Sequence, residues 1–166
     1  EKDTTKAIEY IEQIHSKSHN MIIAMDDMLW SIDPANDSMA KATERLREYI
    51  EALKNRHDVQ IDLLVDKKVD ALKLNMKLRQ SIFRLFKGGI ANFIKTGADH
   101  CRIHIGIEKG TIVYTVEFDN SKTDFQQLNN LIRRQELENW LGEINARLIF
   151  ETHKTNSTAK LVIPLR

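Results

Sequence analysis

The sequence predicts an α+β fold: a two-layer α/β sandwich, in which a mixed or antiparallel sheet carries helices on one face, preceded by one long helix. Apolar residues in the N-terminal segment recur at alternating steps of four and three, the spacing of a helical seam. Further along, apolar and polar residues alternate with a period of two, which is typical of half-buried strands. The strands come in hairpins rather than in strict alternation with helices, which favours α+β over a parallel α/β sheet.

The first predicted helix spans residues 4–32. Its seam comprises Ala7, Ile11, Ile14, Met21, Met25, Met28 and Ile32. A stripe this narrow on a terminal helix predicts a homodimer through this helix, and packing on its own domain is the alternative. Pro34 ends the helix, because the residue before a proline is driven out of the α region. We therefore expect a dimerisation and signalling helix over residues 1–36 and a second domain over residues 37–166.

The second domain begins with a helix that Asp37 or Ser38 can cap. The predicted elements after it are a strand over residues 59–63, a helix from residue 69 or 74 to 95, strands over 101–107 and 112–118, a helix over 125–141, and strands over 147–151 and 159–165. A tight turn at Lys109-Gly110 joins the first hairpin.

The composition is that of a globular domain. Hydrophobic residues make up 42% and charged residues 30%, which argues against general disorder. The net charge of +1 gives no indication of binding to nucleic acid or to a membrane surface. No apolar run approaches the roughly 20 residues that span a bilayer. The lone Cys101 excludes an internal disulfide, and the start at Glu1 without a Met predicts a fragment of a longer protein.

The most specific motif is Trp30-Ser31-Ile32-Asp33-Pro34-Ala35-Asn36-Asp37, where the first helix closes. A helix, a strand, a helix bearing Asn92, a hairpin ending at Asp119, a helix and a final hairpin follow in that order. In this motif and order, nearly the whole chain resembles the C-terminal part of a bacterial two-component sensor histidine kinase. That part consists of the second dimer helix and an ATP-binding domain of the Bergerat (GHKL) type.

The resemblance implies ATP and Mg²⁺ as cofactors. Asn92 would coordinate the Mg²⁺ that bridges the phosphates, since an amide oxygen is a suitable ligand for a hard cation. Asp119 would accept a hydrogen bond from the adenine amino group, and Lys95 would meet phosphate. The resemblance also implies a response regulator as partner, a cytoplasmic location in a membrane-anchored sensor, and a phosphoacceptor His on a preceding helix outside this chain.

The chain departs from the family pattern at three places. Gly88 stands where the family carries a catalytic Glu, which polarises the attacking group or a water. Thr96 stands where the family often has His or Tyr. The segment over residues 119–125 contains no glycine, although the family has a flexible lid and glycine-rich loops there, whose backbone N–H groups bind phosphate.

Two interpretations of Gly88-Gly89 remain open. A glycine inside a helix costs about 1 kcal/mol relative to alanine, so the pair needs a reason. Either the catalytic Glu has been lost, or the helix and the sheet are in tight contact here.

Other candidate residues favour ordinary roles. His15 and His19 are expected to be solvated on the first helix. His100, Cys101 and His104 could suggest a metal site, but His100 and His104 would lie about 13 Å apart on a strand, too far to share one ion. Trp140 and Leu141 are expected to pack in the core or under the final hairpin. Arg133-Arg134 could meet phosphate, but solvated helix charges are the favoured interpretation.

Three functions fit the sequence. The first is a phosphotransfer module that binds Mg-ATP and phosphorylates a histidine. The second is a pseudokinase dimer that relays a conformational signal without ATP; Gly88, Thr96 and the missing lid favour it. The third, a serine kinase of the anti-sigma type, ranks low because it also requires glycine loops.

Overall fold

The computed structural model describes residues 2–165 and divides into two compact units, with the boundary between Asn36 and Asp37. The first unit consists of one long helix, α1 (Lys2–Ile32), and a 3₁₀ turn (Pro34–Asn36). The second unit holds all the remaining elements. No helix within residues 2–165 has the length and apolar content needed to cross a membrane.

Local hydrogen bonds explain the motif at the end of α1. The side-chain amide of Asn36 donates to the carbonyl oxygen of Trp30 at 2.9 Å, which satisfies one of the carbonyls left open by the last turn. The Asp33 carboxylate accepts from the backbone N–H of Ala35 at 2.9 Å, a typical Asx turn. The motif therefore specifies a sharp helix stop.

The second unit, described over residues 37–165, combines helices with strands, and two pairs of consecutive strands form hairpins. Its elements are α2 (Met39–Arg56), β1 (Gln60–Val65), α3 (Lys67–Asp70), α4 (Met76–Lys95), β2 (His100–Glu108), β3 (Thr111–Asp119), α5 (Phe125–Ile132), α6 (Gln135–Glu143), β4 (Arg147–Thr152) and β5 (Asn156–Pro164). Ser38 caps α2 by accepting from the N–H of Lys41 at 3.3 Å. Lys109 and Gly110, in the turn between β2 and β3, both have positive φ, as a tight hairpin turn requires.

The five strands form one mixed sheet in the order β1-β2-β3-β5-β4. β1 and β2 are parallel, and the other neighbouring pairs are antiparallel. This sheet and the long first helix confirm the predicted fold class. The mixed sheet arises because α3 and α4 cross over between β1 and β2, whereas hairpins and helices connect the rest.

The core lies between one face of the sheet and the helices. Cys101, Ile103 and Ile105 of β2 alternate inward, as predicted, and are buried. On the neighbouring strand, the ring of Tyr114 stacks on Phe86 of α4, with centroids 4.1 Å apart. These contacts hold α4 against the middle of the sheet.

The third predicted helix is two helices. Asn75 separates α3 from α4 and caps α4, because its side-chain oxygen accepts from the N–H of Leu78 at 2.8 Å. The sequence left open whether the helix begins at Val69 or Leu74. Because Asn75 caps it, α4 begins at Met76, close to the later of the two predicted starts.

The prediction of one helix over residues 125–141 is wrong, since α5 and α6 are separate. Arg134, between them, has an extended backbone with ψ of 132°. Leu131 is buried on α5, but the same face one turn later would carry Gln135, and apolar residues resume only at Leu137. The break corrects this phase shift, so that both helices can turn apolar residues inward.

Candidate functional site

A cleft of about 290 Å³ lies between α4, the sheet and the pair α5–α6. Its walls are largely apolar. They are formed by Leu85, Ala91 and Phe93 of α4, by Tyr114, Val116 and Phe118 of β3, by Leu148 of β4 and Ala159 and Leu161 of β5, and by Leu128, Leu131, Ile132, Leu137, Trp140 and Leu141 of α5 and α6. The cleft is the candidate site because concave, mostly apolar cavities with a few polar groups are where small molecules bind.

Gly88 and Gly89 both line this cleft. A Cβ atom built on either glycine would meet no other atom within 4 Å, apart from the helix's own backbone and adjacent residues. The interpretation of the pair as a tight helix–sheet contact is therefore wrong. The glycines instead leave open space on the helix wall of the cleft.

Asn92 and Lys95 line the same wall, one turn apart on α4. Asn92 is half-buried and Lys95 is exposed. Within residues 2–165, neither side chain has a hydrogen-bonding or ionic partner. Two of the residues predicted to hold Mg²⁺ and phosphate are thus placed together, with their polar groups available.

Asp119 is not among the residues that line the cleft. Its neighbour Phe118 packs edge-on against Phe93 of α4, with centroids 5.0 Å apart, and successive side chains of a strand point to opposite faces. The Asp119 carboxylate accepts a hydrogen bond from the backbone N–H of Ser121 at 2.6 Å, which lowers its pKa. The structure therefore does not bring Asp119 to the cleft beside Asn92.

The segment after β3, residues 120–124, is short and fixed at both ends. The N–H of Asp124 donates to the carbonyl of Thr96 at 2.8 Å, beside the C-terminal end of α4. Lys122 forms an ion pair with Asp99, which lowers the pKa of Asp99 and raises that of Lys122. At the other end, the hydroxyl of Ser157 donates to the side-chain oxygen of Asn120 at 2.6 Å.

Trp140 of α6 closes the cleft rather than filling the core. The guanidinium carbon of Arg84 lies 4.7 Å from the centre of the Trp140 ring, and Arg84 also pairs with Glu143 at 2.7 Å. These contacts attach α6 to α4 across the cleft. The sequence predicted that Trp140 and Leu141 pack in the core or under the final hairpin, and did not show that both line a cleft. Arg134 is exposed, as predicted, and also lines the cleft.

The histidines on β2 pair separately with a carboxylate of β1 and with the one that directly follows it, at the N-cap of α3. His100 lies 3.3 Å from Asp62, and His104 lies 2.9 Å from Asp66. Among residues 2–165, no group of three or more His, Cys, Asp or Glu side chains is arranged to hold a metal ion. Cys101, between the two histidines, faces the core, and burial raises the pKa of its thiol to about 12.

The mixed five-stranded sheet with its helices matches the fold of histidine kinase catalytic domains. No protein-family model and no curated protein matches the sequence. Solved structures, however, match it with high probability. The match to the Acinetobacter baumannii histidine kinase AdeS covers 94% of this chain and 82% of the AdeS chain, with a TM-score of 0.64 and 10% identity.

Two further structures give the same result. The Erythrobacter litoralis blue-light activated histidine kinase EL346 covers 87% of this chain, with a TM-score of 0.60 and 13% identity. The match to the histidine kinase domain of the E. coli osmosensor EnvZ covers 73% of this chain and 84% of the EnvZ domain, with a TM-score of 0.55 and 16% identity. This chain spans 52% of the EL346 chain and 61% of its histidine kinase domain. At these identities the likeness establishes the fold.

Proposed function

We propose that the chain is the C-terminal signalling part of a two-component sensor histidine kinase in which nucleotide binding is weakened or lost. The wall of the cleft carries this proposal. Asn92 and Lys95, which by the family resemblance would meet Mg²⁺ and phosphate, both line it, but Gly88, one turn before Asn92, offers no carboxylate to act on an attacking group. The cleft wall therefore lacks, at this position, the carboxylate that would assist phosphotransfer.

The segment after β3 supports the loss of phosphate binding. A phosphate-binding loop needs backbone N–H groups that point at the ligand. Here four of the five N–H groups of residues 120–124 already donate inside the protein: Asn120 to Thr155, Ser121 to Asp119, Thr123 to Asn120, and Asp124 to Thr96. These groups are not available to a triphosphate without breaking internal hydrogen bonds.

The first helix supports a homodimer. Ile11, Ile14, Met21, Met25 and Met28 of the seam are 60–65% exposed within the chain. Ile8, Ile22 and Leu29 form a second exposed row beside them. A face of this width is typical of a helix with two neighbours in a four-helix bundle, rather than of a simple two-stranded seam.

The alternative function is a pseudokinase dimer that relays a conformational signal through protein contacts alone. The fixed segment 120–124 favours it over an ATP-driven module, because a lid must move to admit and release nucleotide. In either case we propose a response regulator as partner and a position on the cytoplasmic side of the membrane. A phosphoacceptor histidine would then belong to a preceding helix.

Isothermal titration with a non-hydrolysable ATP analogue, with and without Mg²⁺, tests the proposal. We expect no Mg²⁺-dependent binding below millimolar nucleotide, and an unchanged result for Asn92→Ala. We also expect Asn92→Ala to keep the stability of the parent chain, because its amide makes no internal hydrogen bond.

Asn129→Ala is the matched control, since Asn129 is exposed on α5 and does not line the cleft. Micromolar, Mg²⁺-dependent binding that Asn92→Ala abolishes and Asn129→Ala preserves would overturn the proposal and restore the phosphotransfer enzyme.

A further inference from the structure

The cleft is large enough for a small ligand, although it lacks a carboxylate at Gly88 and the free backbone N–H groups that would bind phosphate. Its volume of about 290 Å³ is close to the lower bound for small-molecule sites. Tyr114, Val116 and Leu161 line the sheet side, and Leu137 and Trp140 line the opposite side. A ligand body that is apolar would gain most from these walls, because each buried methylene contributes favourably on leaving water.

The glycine pair keeps this space open. Any side chain at Gly88 or Gly89 would project from α4 without meeting another residue within 4 Å of its Cβ. The same positions line the cleft, so a large side chain there would occupy the volume that a ligand needs.

Positive charge among the lining residues favours a ligand with an anionic group. Lys95 and Arg134 are exposed lining residues, and neither has a carboxylate partner in the described part of the chain. Arg84 is already paired with Glu143. Glu136 is the carboxylate among the lining residues, so cationic groups remain in excess.

From these observations we infer that the cleft binds an amphipathic carboxylate of the medium-chain fatty-acid class. The alkyl chain lies between α4, the sheet and α6, and the carboxylate meets Lys95 and Arg134, with the Asn92 amide as a further donor. The inference rests on the proposed loss of nucleotide binding, because both ligands would use the same cleft. A single carboxylate needs few donors, whereas a triphosphate needs the backbone N–H groups that residues 120–124 do not offer.

Titration of the full chain with decanoate below its micellar concentration tests the inference, with decanol as the uncharged probe. We expect saturable decanoate binding, at least about tenfold tighter than decanol, because a charge-assisted pair adds to the same apolar burial. The fluorescence of Trp140 should change on binding, measured in a Trp30→Phe background so that it reports the cleft alone.

Two sets of variants locate the site. Gly89→Leu should weaken decanoate and decanol alike, whereas Gly142→Leu should not, since Gly142 is equally uncrowded but does not line the cleft. Lys95→Gln with Arg134→Gln should bring decanoate affinity down to that of decanol and leave decanol unchanged. Arg133→Gln is the control for charge, since Arg133 is exposed and does not line the cleft.

Each result decides between the two proposals. Equal affinity for decanoate and decanol, binding indifferent to Gly89→Leu, or no binding of decanoate overturns the fatty-acid inference and leaves the loss of nucleotide binding standing. Micromolar binding of the Mg-ATP analogue overturns the proposed function, whatever decanoate does. If Gly89→Leu fails to fold, the double charge variant and the fluorescence of Trp140 still report the site.

Discussion

The backbone N–H of Asp124 donates a hydrogen bond to the carbonyl oxygen of Thr96 at 2.8 Å. This bond ties the segment after β3 to the C-terminal end of α4. Thr96 is itself buried, and its hydroxyl donates to the carbonyl of Phe93 at 2.6 Å. Thr96 therefore anchors the segment that follows β3.

Replacing Asp124 with alanine should destabilise the second unit by about 1 kcal/mol. Asp124 is the N-cap of α5, and its carboxylate accepts from the N–H of Gln127 at 3.0 Å. Asp124→Asn keeps an acceptor and should retain most of the stability. Urea denaturation measures both; equal loss in the two variants would show that the cap is not the cause.

Gly88→Ala and Gly89→Ala should each stabilise the protein by up to about 1 kcal/mol. Both positions lie inside α4, and an added Cβ meets no neighbouring residue within 4 Å. The entropy lost by glycine in a helix is then recovered at no steric cost. Thermal unfolding of the two variants checks this, and a lowered midpoint would mean that the helix is crowded after all.

The purified chain should self-associate at tens of micromolar through α1. Ile14→Lys and Met21→Lys should weaken this association, since each places a charge in the exposed apolar seam. Gln13→Lys introduces the same charge away from the seam and should have little effect. Sedimentation velocity distinguishes these outcomes. A monomeric parent chain at every concentration would contradict dimerisation by this helix alone.

Stability should fall as the pH rises above about 9, partly because of Cys101. Burial raises the pKa of its thiol to about 12 in the folded protein, whereas the unfolded chain releases the proton near the ordinary value of 9.0. Below pH 9 both states hold the proton and the full stability is present. Between these values the unfolded state binds fewer protons, so the free energy of unfolding decreases with pH, at a slope of at most about 1.4 kcal/mol per pH unit.

Chemical denaturation at a series of pH values, with Cys101→Ala as comparison, checks this contribution. The variant should show a shallower decline between pH 9 and 12. A residual slope is expected from Tyr114, because burial raises the pKa of its phenol as well. Identical slopes in the two proteins would rule out the thiol.

Periodicity and capping predicted most of the fold. The helix end before Pro34, a cap at Asp37 or Ser38 and the turn at Lys109-Gly110 were all predicted, because each depends on residues close together in the chain. The alternation along β2 likewise identified its buried face. The chain by itself therefore determined most of the elements and the grouping of the strands into one sheet with helices on one face, but not where two of the helices break.

Only the tertiary structure decided what the site is made of. The cleft joins residues as distant in the chain as Gly88, Trp140 and Leu161, and periodicity shows which face of an element is apolar but not which elements meet across a gap. The exclusion of Asp119 from the cleft and the empty space beside Gly88 both follow from that assembly. Local sequence contains no signal for them, because each depends on the packing of α4, α5 and α6 on the sheet.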